Sequence, residues 1–283
     1  ASAAATDIVT IDASGLTGSN SVELDIKDTD AANTAANTIT LTGSDNADKI
    51  TVEQVTAASA SIISVTGGKG NDTITVKTDA THDGRIYVDA GDGDDTIDVS
   101  GATSDNTAGN NTITGGKGND TIKLDTDTTA TDFEVVTAST AANNGLDSIT
   151  NFTVGSGGDV LEIDAFLDAG SIHKASSTAA YTTNLGTSTD VSSDVVLLVD
   201  ITGGQDITTA AGLDAALATG GEYSNFDIAG SSKIVIGTSA TNDSDTTHVF
   251  YGSSDASGVI TTTKVATLGS IDIDGLIAAN FNI

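Results

Sequence analysis

The chain has 283 residues, with 40 acidic against 10 basic side chains and a formal net charge of −30 at pH 7. That balance excludes nucleic acid as a partner, because phosphate binding draws on Lys and Arg. It disfavours anionic membrane for the same reason, and no apolar run approaches a bilayer span, so no membrane insertion is expected. With Cys, Pro, Met and Trp all absent, disulfides, zinc thiolates and Cys nucleophiles are excluded as well.

The acid is mostly Asp: only Glu23, Glu53, Glu134, Glu162 and Glu222 are Glu. Asp favours turns and hard-cation sites over helix surfaces. Charge of this size opposes compaction unless something neutralises it. A secreted chain without disulfides needs another staple, and a metal is one option. The start ASAAATDIVT reads as a fragment or a processed product.

Residues 1–40 carry strand-like runs at 8–11 and 22–26 without a recurring motif, and are expected to form the N-terminal strands or cap of a solenoid. From 41 to 165 the chain repeats. The nonapeptides GSDNADKIT, GGKGNDTIT, AGDGDDTID and GGKGNDTIK begin at Gly43, Gly67, Ala90 and Gly115, spaced by 24, 23 and 25 residues. Their sixth position is Asp48, Asp72, Asp95 and Asp120; their eighth is Ile50, Ile74, Ile97 and Ile122. Short alternating runs lead in (39–41, 62–65, 86–88, 112–114) and out (50–52, 74–76, 97–99, 122–124), as strands with one buried face do. One repeat is therefore strand, tight Gly-Asp turn, strand and looser polar loop (53–60, 77–85, 101–110). Stacking such units gives a β-solenoid in which each coil hides its Ile/Val face under its neighbours.

Two decayed copies come next, at 143–149 and 155–161. Their Asp147 and Asp159 are 12 residues apart, half of one period, which puts Asp159 on the opposite edge of the coil. Residues 166–283 are expected to form a smaller β-rich domain with one or two helices. The helix candidate is 205–218, with Ile207, Leu213 and Leu217 on its apolar face; strands are expected at 195–200, 233–236, 247–251 and 270–273.

Glycines at positions one, two and four allow backbone angles that a Cβ blocks, and let main-chain carbonyls approach an ion. The sixth-position Asp adds a short carboxylate, and the eighth-position Ile fixes the register. Ca²⁺ takes six to eight oxygens, carbonyl and carboxylate together, which two stacked turns can supply at one ion per gap; Mg²⁺ demands stricter geometry. An all-oxygen set disfavours zinc, copper and iron.

GGKGNDTIT resembles the G-G-x-G-x-D-x-U-x nonapeptide of RTX (repeats-in-toxin) proteins, which binds Ca²⁺. Two copies match it in full and AGDGDDTID differs by one Gly-to-Ala change. The segment 147–152, with 158–164 after it, is similar to the strand pair after RTX repeats in exported proteins. The likeness covers about residues 40–165. It implies a mainly β protein built on a parallel β-solenoid of the RTX β-roll type, with about 24 residues per coil. Carried over position by position, it implies Ca²⁺ carboxylates at Asp72, Asp95 and Asp120. It implies carbonyls from Gly67, Gly68, Lys69 and Gly70, from Ala90, Gly91, Asp92 and Gly93, and from Gly115, Gly116, Lys117 and Gly118. Asp48, Asp147 and Asp159 are further candidates. The usual β-roll packs two nonapeptides into each coil. With one motif per coil here, one ion row is expected, and ordinary loops, with solvated Asp79 and Asp83, on the second edge.

No catalytic constellation is present. His82, His173 and His248 are scattered, and neither H-E-x-x-H nor G-x-S-x-G occurs. The expected mechanism is calcium-driven folding outside the cell, since extracellular modules often bind at about 10⁻⁴–10⁻³ M. The RTX resemblance implies type I secretion, and 166–283 is similar to the uncleaved C-terminal signals of that route. The Ala/Thr/Ser/Gly/Asp-rich, Lys-poor composition resembles bacterial surface-layer (S-layer) proteins. The expectation is a non-enzymatic, secreted, extracellular structural protein of the cell surface, the C-terminal part of an RTX-type S-layer protein. Its partners would be copies of itself in a lateral lattice, the type I secretion machinery and, through regions not in this chain, a cell-surface polysaccharide. The alternatives are the C-terminal module of a large adhesin, or of a secreted protease or lipase with its catalytic domain upstream.

Overall fold

A computed structural model describes residues 8–28, 36–54, 61–78, 84–102, 111–126, 133–136, 140–163, 173–174, 189–191, 195–201, 207–218, 226–228, 233–240, 246–255, 257, 259–269, 271, 276 and 280–282. The outer parts of the loops at 53–60, 77–85 and 101–110, including Asp79 and Asp83, lie outside the described residues, as does His82.

The alternating runs become strands β1 (Ile8–Asp12), β2 (Glu23–Asp28), β3 (Thr38–Thr42), β4 (Lys49–Gln54), β5 (Ile62–Lys69), β6 (Thr73–Thr78), β7 (Arg85–Asp92), β8 (Thr96–Gly101), β9 (Asn111–Lys117) and β10 (Thr121–Lys123). Odd strands pair in parallel in one sheet and even strands in a second, with the order of each sheet following the chain. The result is a parallel β-solenoid. Among the described residues β3 to β10 make four regular coils, and hydrogen-bonded partners at the same corner are 24, 23 and 25 residues apart.

The period-two pattern decides which atoms go inside. Ile50, Ile74, Ile97 and Ile122 stand beside one another across the second sheet, each no more than 1 % exposed. Leu41, Val65, Val88 and Ile113 stand in line in the same way across the first, each no more than 2 % exposed. β-Branched side chains suit such stacks because their χ1 freedom is already small and the pleated surface accepts them. Parallel strands buried on one face need continuous aliphatic contact between coils. Ile97→Ala is therefore expected to cost about 2–5 kcal/mol, measured as a lower denaturant midpoint with an unchanged slope.

The strands leading into the turns are longer than the alternation alone implies. β5, β7 and β9 continue through positions one to three of the nonapeptide, ending at Lys69, Asp92 and Lys117. Gly68 pairs with Gly91, and Gly91 with Gly116. The sharp turn is confined to positions four to six, because the inter-coil ladder runs on through the glycines. At Gly91 φ is +110°, and a Cβ would stand 2.0 Å from the Gly68 carbonyl oxygen. Gly91→Ala is expected to cost more than the roughly 1–3 kcal/mol of the strained backbone alone, read in the same denaturation experiment.

After β10 come β11 (Phe133–Val136), the short helix α1 (Ala141–Asn144), β12 (Asp147–Thr150) and β13 (Val160–Glu162). β11 and β13 extend the first sheet and β12 the second. The chain continues with β14 (His173–Lys174), β15 (Thr189–Val191), β16 (Val195–Ile201), α2 (Ala210–Leu217), β17 (Phe226–Ile228), β18 (Lys233–Ala240), β19 (Thr246–Ser254), β20 (Ile260–Gly269) and β21 (Phe281–Asn282). The sheets do not break at residue 165: β20 lies parallel beside β12, and β21 beside β13. The remaining strands of the larger sheet run outward from β20 through β19, β18 and β16 to β14.

The helix expected over 205–218 is α2, entered through Thr209, whose side chain accepts from the Gly212 N–H. It is locked to β20 by Asp214, whose Oδ1 accepts from the Thr262 N–H and hydroxyl. Of the strand expected at 270–273 only Ile271 lies among the described residues. Ile271 stands outside any strand, and the described strand before it is the Thr-rich ITTTKVATLG, which the sequence reading did not include. Its polar positions are not all solvent-facing; Thr262 points inward to Asp214, so simple alternation is lost.

Candidate metal centre

At each corner where a first-sheet strand turns into a second-sheet strand, the sixth-position aspartate folds back along the solenoid axis. The Asp48 N–H donates to Asp72 Oδ1 at 2.7 Å, Asp72 N–H to Asp95 Oδ1 at 2.6 Å, Asp95 N–H to Asp120 Oδ1 at 2.8 Å, and Asp120 N–H to Asp147 Oδ1 at 3.0 Å. Each carboxylate thus satisfies an amide of the preceding coil. Short Asp reaches that amide; Glu, one methylene longer, overshoots it. Val22 N–H begins the row by donating to Asp48 Oδ1.

The second oxygens differ along the row. Asp72, Asp95 and Asp120 are 1–2 % exposed, and their Oδ2 atoms are buried with no hydrogen-bond partner. These are the three position-six residues of the best-matching nonapeptide copies. The others have both oxygens engaged or sit elsewhere. Asp48 Oδ2 accepts from the Ser44 N–H, and its Oδ1 from the Ser44 hydroxyl. Asp147 Oδ2 accepts from Asn144 Nδ2 at 2.8 Å. Asp159 belongs to the loop between β12 and β13, on the opposite edge, where its Oδ2 accepts from the Thr153 N–H. The structure brings Asp48, Asp72, Asp95, Asp120 and Asp147 into one row and leaves Asp159 out of it.

An unpaired buried carboxylate is costly in its charged form. Burial pushes Asp72 up to about 7 and Asp120 up to about 6, and raises Asp95, against the lowering effect of the amide each accepts. Burial likewise pushes Asp147 up to about 7. Neighbouring aspartates of the row add like-charge repulsion.

The glycines crowd these oxygens. The point where a Cβ of residue 67 would stand lies 2.3 Å from Asp72 Oδ2 and 2.4 Å from the Ala90 carbonyl oxygen. A Cβ on Gly115 would stand 2.3 Å from Asp120 Oδ2. Position one therefore brings a carboxylate oxygen of its own coil and a carbonyl oxygen of the next to one spot. Ala90 is the one position-one residue of the three best-matching copies that carries a methyl, and it is fully buried. At position four, Gly70, Gly93 and Gly118 pack backbone on backbone; a Cβ on Gly93 would meet the Gly70 carbonyl oxygen at 2.0 Å.

Position three faces outward. Lys69 donates to Asp45 at 2.6 Å and Lys117 to Asp92 at 2.7 Å, exposed pairs that contribute little stability. The Asp92 and Lys117 carbonyls accept from Gly70 and Gly93 N–H. Sequence reasoning missed a second ladder at position five. Asn71 Oδ1 accepts from the Asp94 N–H, Asp94 Oδ1 from the Asn119 N–H, and Asn119 Oδ1 from the Leu146 N–H, at 2.8–3.1 Å. It runs opposite in sense to the Asp ladder: here the side chain of one coil serves the amide of the next. The signal was present as Asn, Asp, Asn at that position. Ser44 and Asn144, which close the ends of the Asp row, were missed too.

Among the described residues no three His, Asp or Glu side chains converge to grip an ion by themselves. Between neighbouring coils the donors are one unpartnered carboxylate oxygen from each, plus turn carbonyls. That set suits a hard cation that accepts mixed oxygens, and excludes a thiolate or imidazole metal. Compared with known protein families, curated proteins and solved structures, the chain matches none of them.

Proposed function

We propose that the chain is a calcium-dependent, non-enzymatic structural protein of the bacterial cell surface, the C-terminal part of an RTX-type S-layer protein that folds and self-assembles on extracellular calcium after type I secretion. One observation carries the calcium reading: the buried, unpartnered Oδ2 atoms of Asp72, Asp95 and Asp120 on three consecutive coils. Calcium would be held by these carboxylates with turn carbonyls of the Gly67–Gly70, Ala90–Gly93 and Gly115–Gly118 segments. When bound, it supplies the positive charge that lets the row stay ionised while buried.

The rest comes from the chain's own groups. Without a counter-charge, stacked carboxylates repel and the glycine-rich corners have little side-chain packing to hold them. Binding free energy thereby becomes folding free energy. A chain with 40 acidic residues stays expanded where free calcium is low, which suits export through a channel. The lattice part rests on composition and on regular sheet faces bearing Thr, Ser and alternating charge.

The test is circular dichroism and electron microscopy of the full chain. Chelation should abolish most of the β-sheet signal and millimolar calcium restore it, whereas equal magnesium should not. An unchanged signal under chelation, or full restoration by magnesium, would overturn the calcium reading. Ordered two-dimensional sheets in calcium are expected; dispersed monomers at saturating calcium would overturn the lattice part.

A further inference from the structure

The Asp row continues unbroken over five coils, yet its free oxygens stop at both ends, and two side chains account for the stop. At position two of the nonapeptide, Gly68, Gly91 and Gly116 have φ of +123°, +110° and +104°. In those coils nothing donates to Oδ2. The first copy carries Ser44 there instead. Among the described residues the only non-glycine with positive φ is Asn151, so Ser44 keeps an ordinary backbone, as its Cβ requires. In that conformation its N–H reaches Asp48 Oδ2 and its hydroxyl Asp48 Oδ1 at 3.0 Å. At the other end Asn144 donates to Asp147 Oδ2 at 2.8 Å and to the Val265 carbonyl on β20 at 3.0 Å.

We propose that Ser44 and Asn144 are end stops of the ion row: they occupy the outer carboxylates with protein donors and confine calcium to the two gaps among Asp72, Asp95 and Asp120. The inference rests on the calcium reading above and adds the count and the residues that set it. Each stop gives the second oxygen of a buried carboxylate a neutral hydrogen-bond donor, in the place where an ion would sit inside the row. The outermost coils therefore close without metal, and the metal-dependent stretch lies between two metal-independent ends.

The experiment is equilibrium dialysis of the full chain against millimolar calcium, in excess magnesium to occupy diffuse surface charge. Folding of each variant is followed by circular dichroism. The native chain should hold two calcium ions. Ser44→Gly, which frees the positive-φ backbone and removes the hydroxyl, should hold three. Ser44→Ala keeps a Cβ and therefore the N–H bond to Asp48, and should stay at two. Asn144→Ala frees Asp147 Oδ2 at the other end and should also reach three; it decides the matter should Ser44→Gly fail to fold. Two ions in the native chain and two in both Ser44→Gly and Asn144→Ala would overturn the end stops and leave the calcium reading standing. No ions in the native chain would overturn the calcium reading itself.

Discussion

Asp95→Asn should hold its fold without calcium better than the native chain does, and should lose the response to calcium almost entirely. Asp95 is the middle member of the row, shared by the gaps on either side. Asn keeps an Oδ1 to accept from the Asp72 N–H, so the inter-coil bond of 2.6 Å has a successor. It removes a buried charge with no partner on its second oxygen. In calcium the balance reverses. A site at [L] of about 100 times Kd contributes about 2.7 kcal/mol, so losing both gaps removes about 5 kcal/mol. The native and variant melting curves should therefore cross: the variant is higher in chelator and lower in saturating calcium. Asp95→Ala, which also deletes the acceptor, should be lower in both. If Asp95→Asn were destabilised in chelator and still gained stability from calcium, the carboxylate would be serving only as a hydrogen-bond acceptor.

The second large effect is a reversal of pH dependence. Asp72, Asp120 and Asp147 have folded-state values of about 7, about 6 and about 7, all above the ordinary carboxylate value near 4, and Asp95 is raised with them. A carboxyl group raised in the folded state binds more protons there than in the unfolded chain. Stability therefore falls as pH rises between about 4 and about 7. In chelator the denaturant midpoint should be higher at pH 5 than at pH 8. Calcium binds the ionised form, so its contribution is present at pH 8 and is lost as pH falls through the same window. Saturating calcium should place the midpoint at pH 8 above that at pH 5. The double variant Asp72→Asn, Asp120→Asn should flatten both slopes. An unchanged slope in that variant would assign the pH effect to the general acidity of the surface, not to the row.

Much of this architecture is legible in the sequence. The spacing of Asp48, Asp72, Asp95 and Asp120 sets the coil, and the Ile two residues after each sets the inward face. These signals are strong because they repeat, and each copy corrects the reading of the others. Asp159 falls on the opposite edge for the same arithmetic reason. What is not legible depends on exceptions to the repeat. Ser44 looks like decay of a Gly; only the folded coil shows that its N–H and hydroxyl engage both oxygens of Asp48. Asn71, Asp94 and Asn119 stand at a position the nonapeptide leaves open, and their ladder appears only once coils are stacked. β20 escapes a local reading because it joins the solenoid through register with β12, a pairing of Asp147 with Ala266 that no local pattern announces.

The most direct test is diffraction from a crystal of the full chain grown in millimolar calcium, with anomalous data collected at long wavelength. The row of unpartnered oxygens predicts two peaks, one between Asp72 and Asp95 and one between Asp95 and Asp120. Each should lie within about 2.3–2.6 Å of a carboxylate Oδ2, the calcium–oxygen range. A map with no anomalous density in either gap, and with the three Oδ2 atoms still buried and unpaired, would contradict the account.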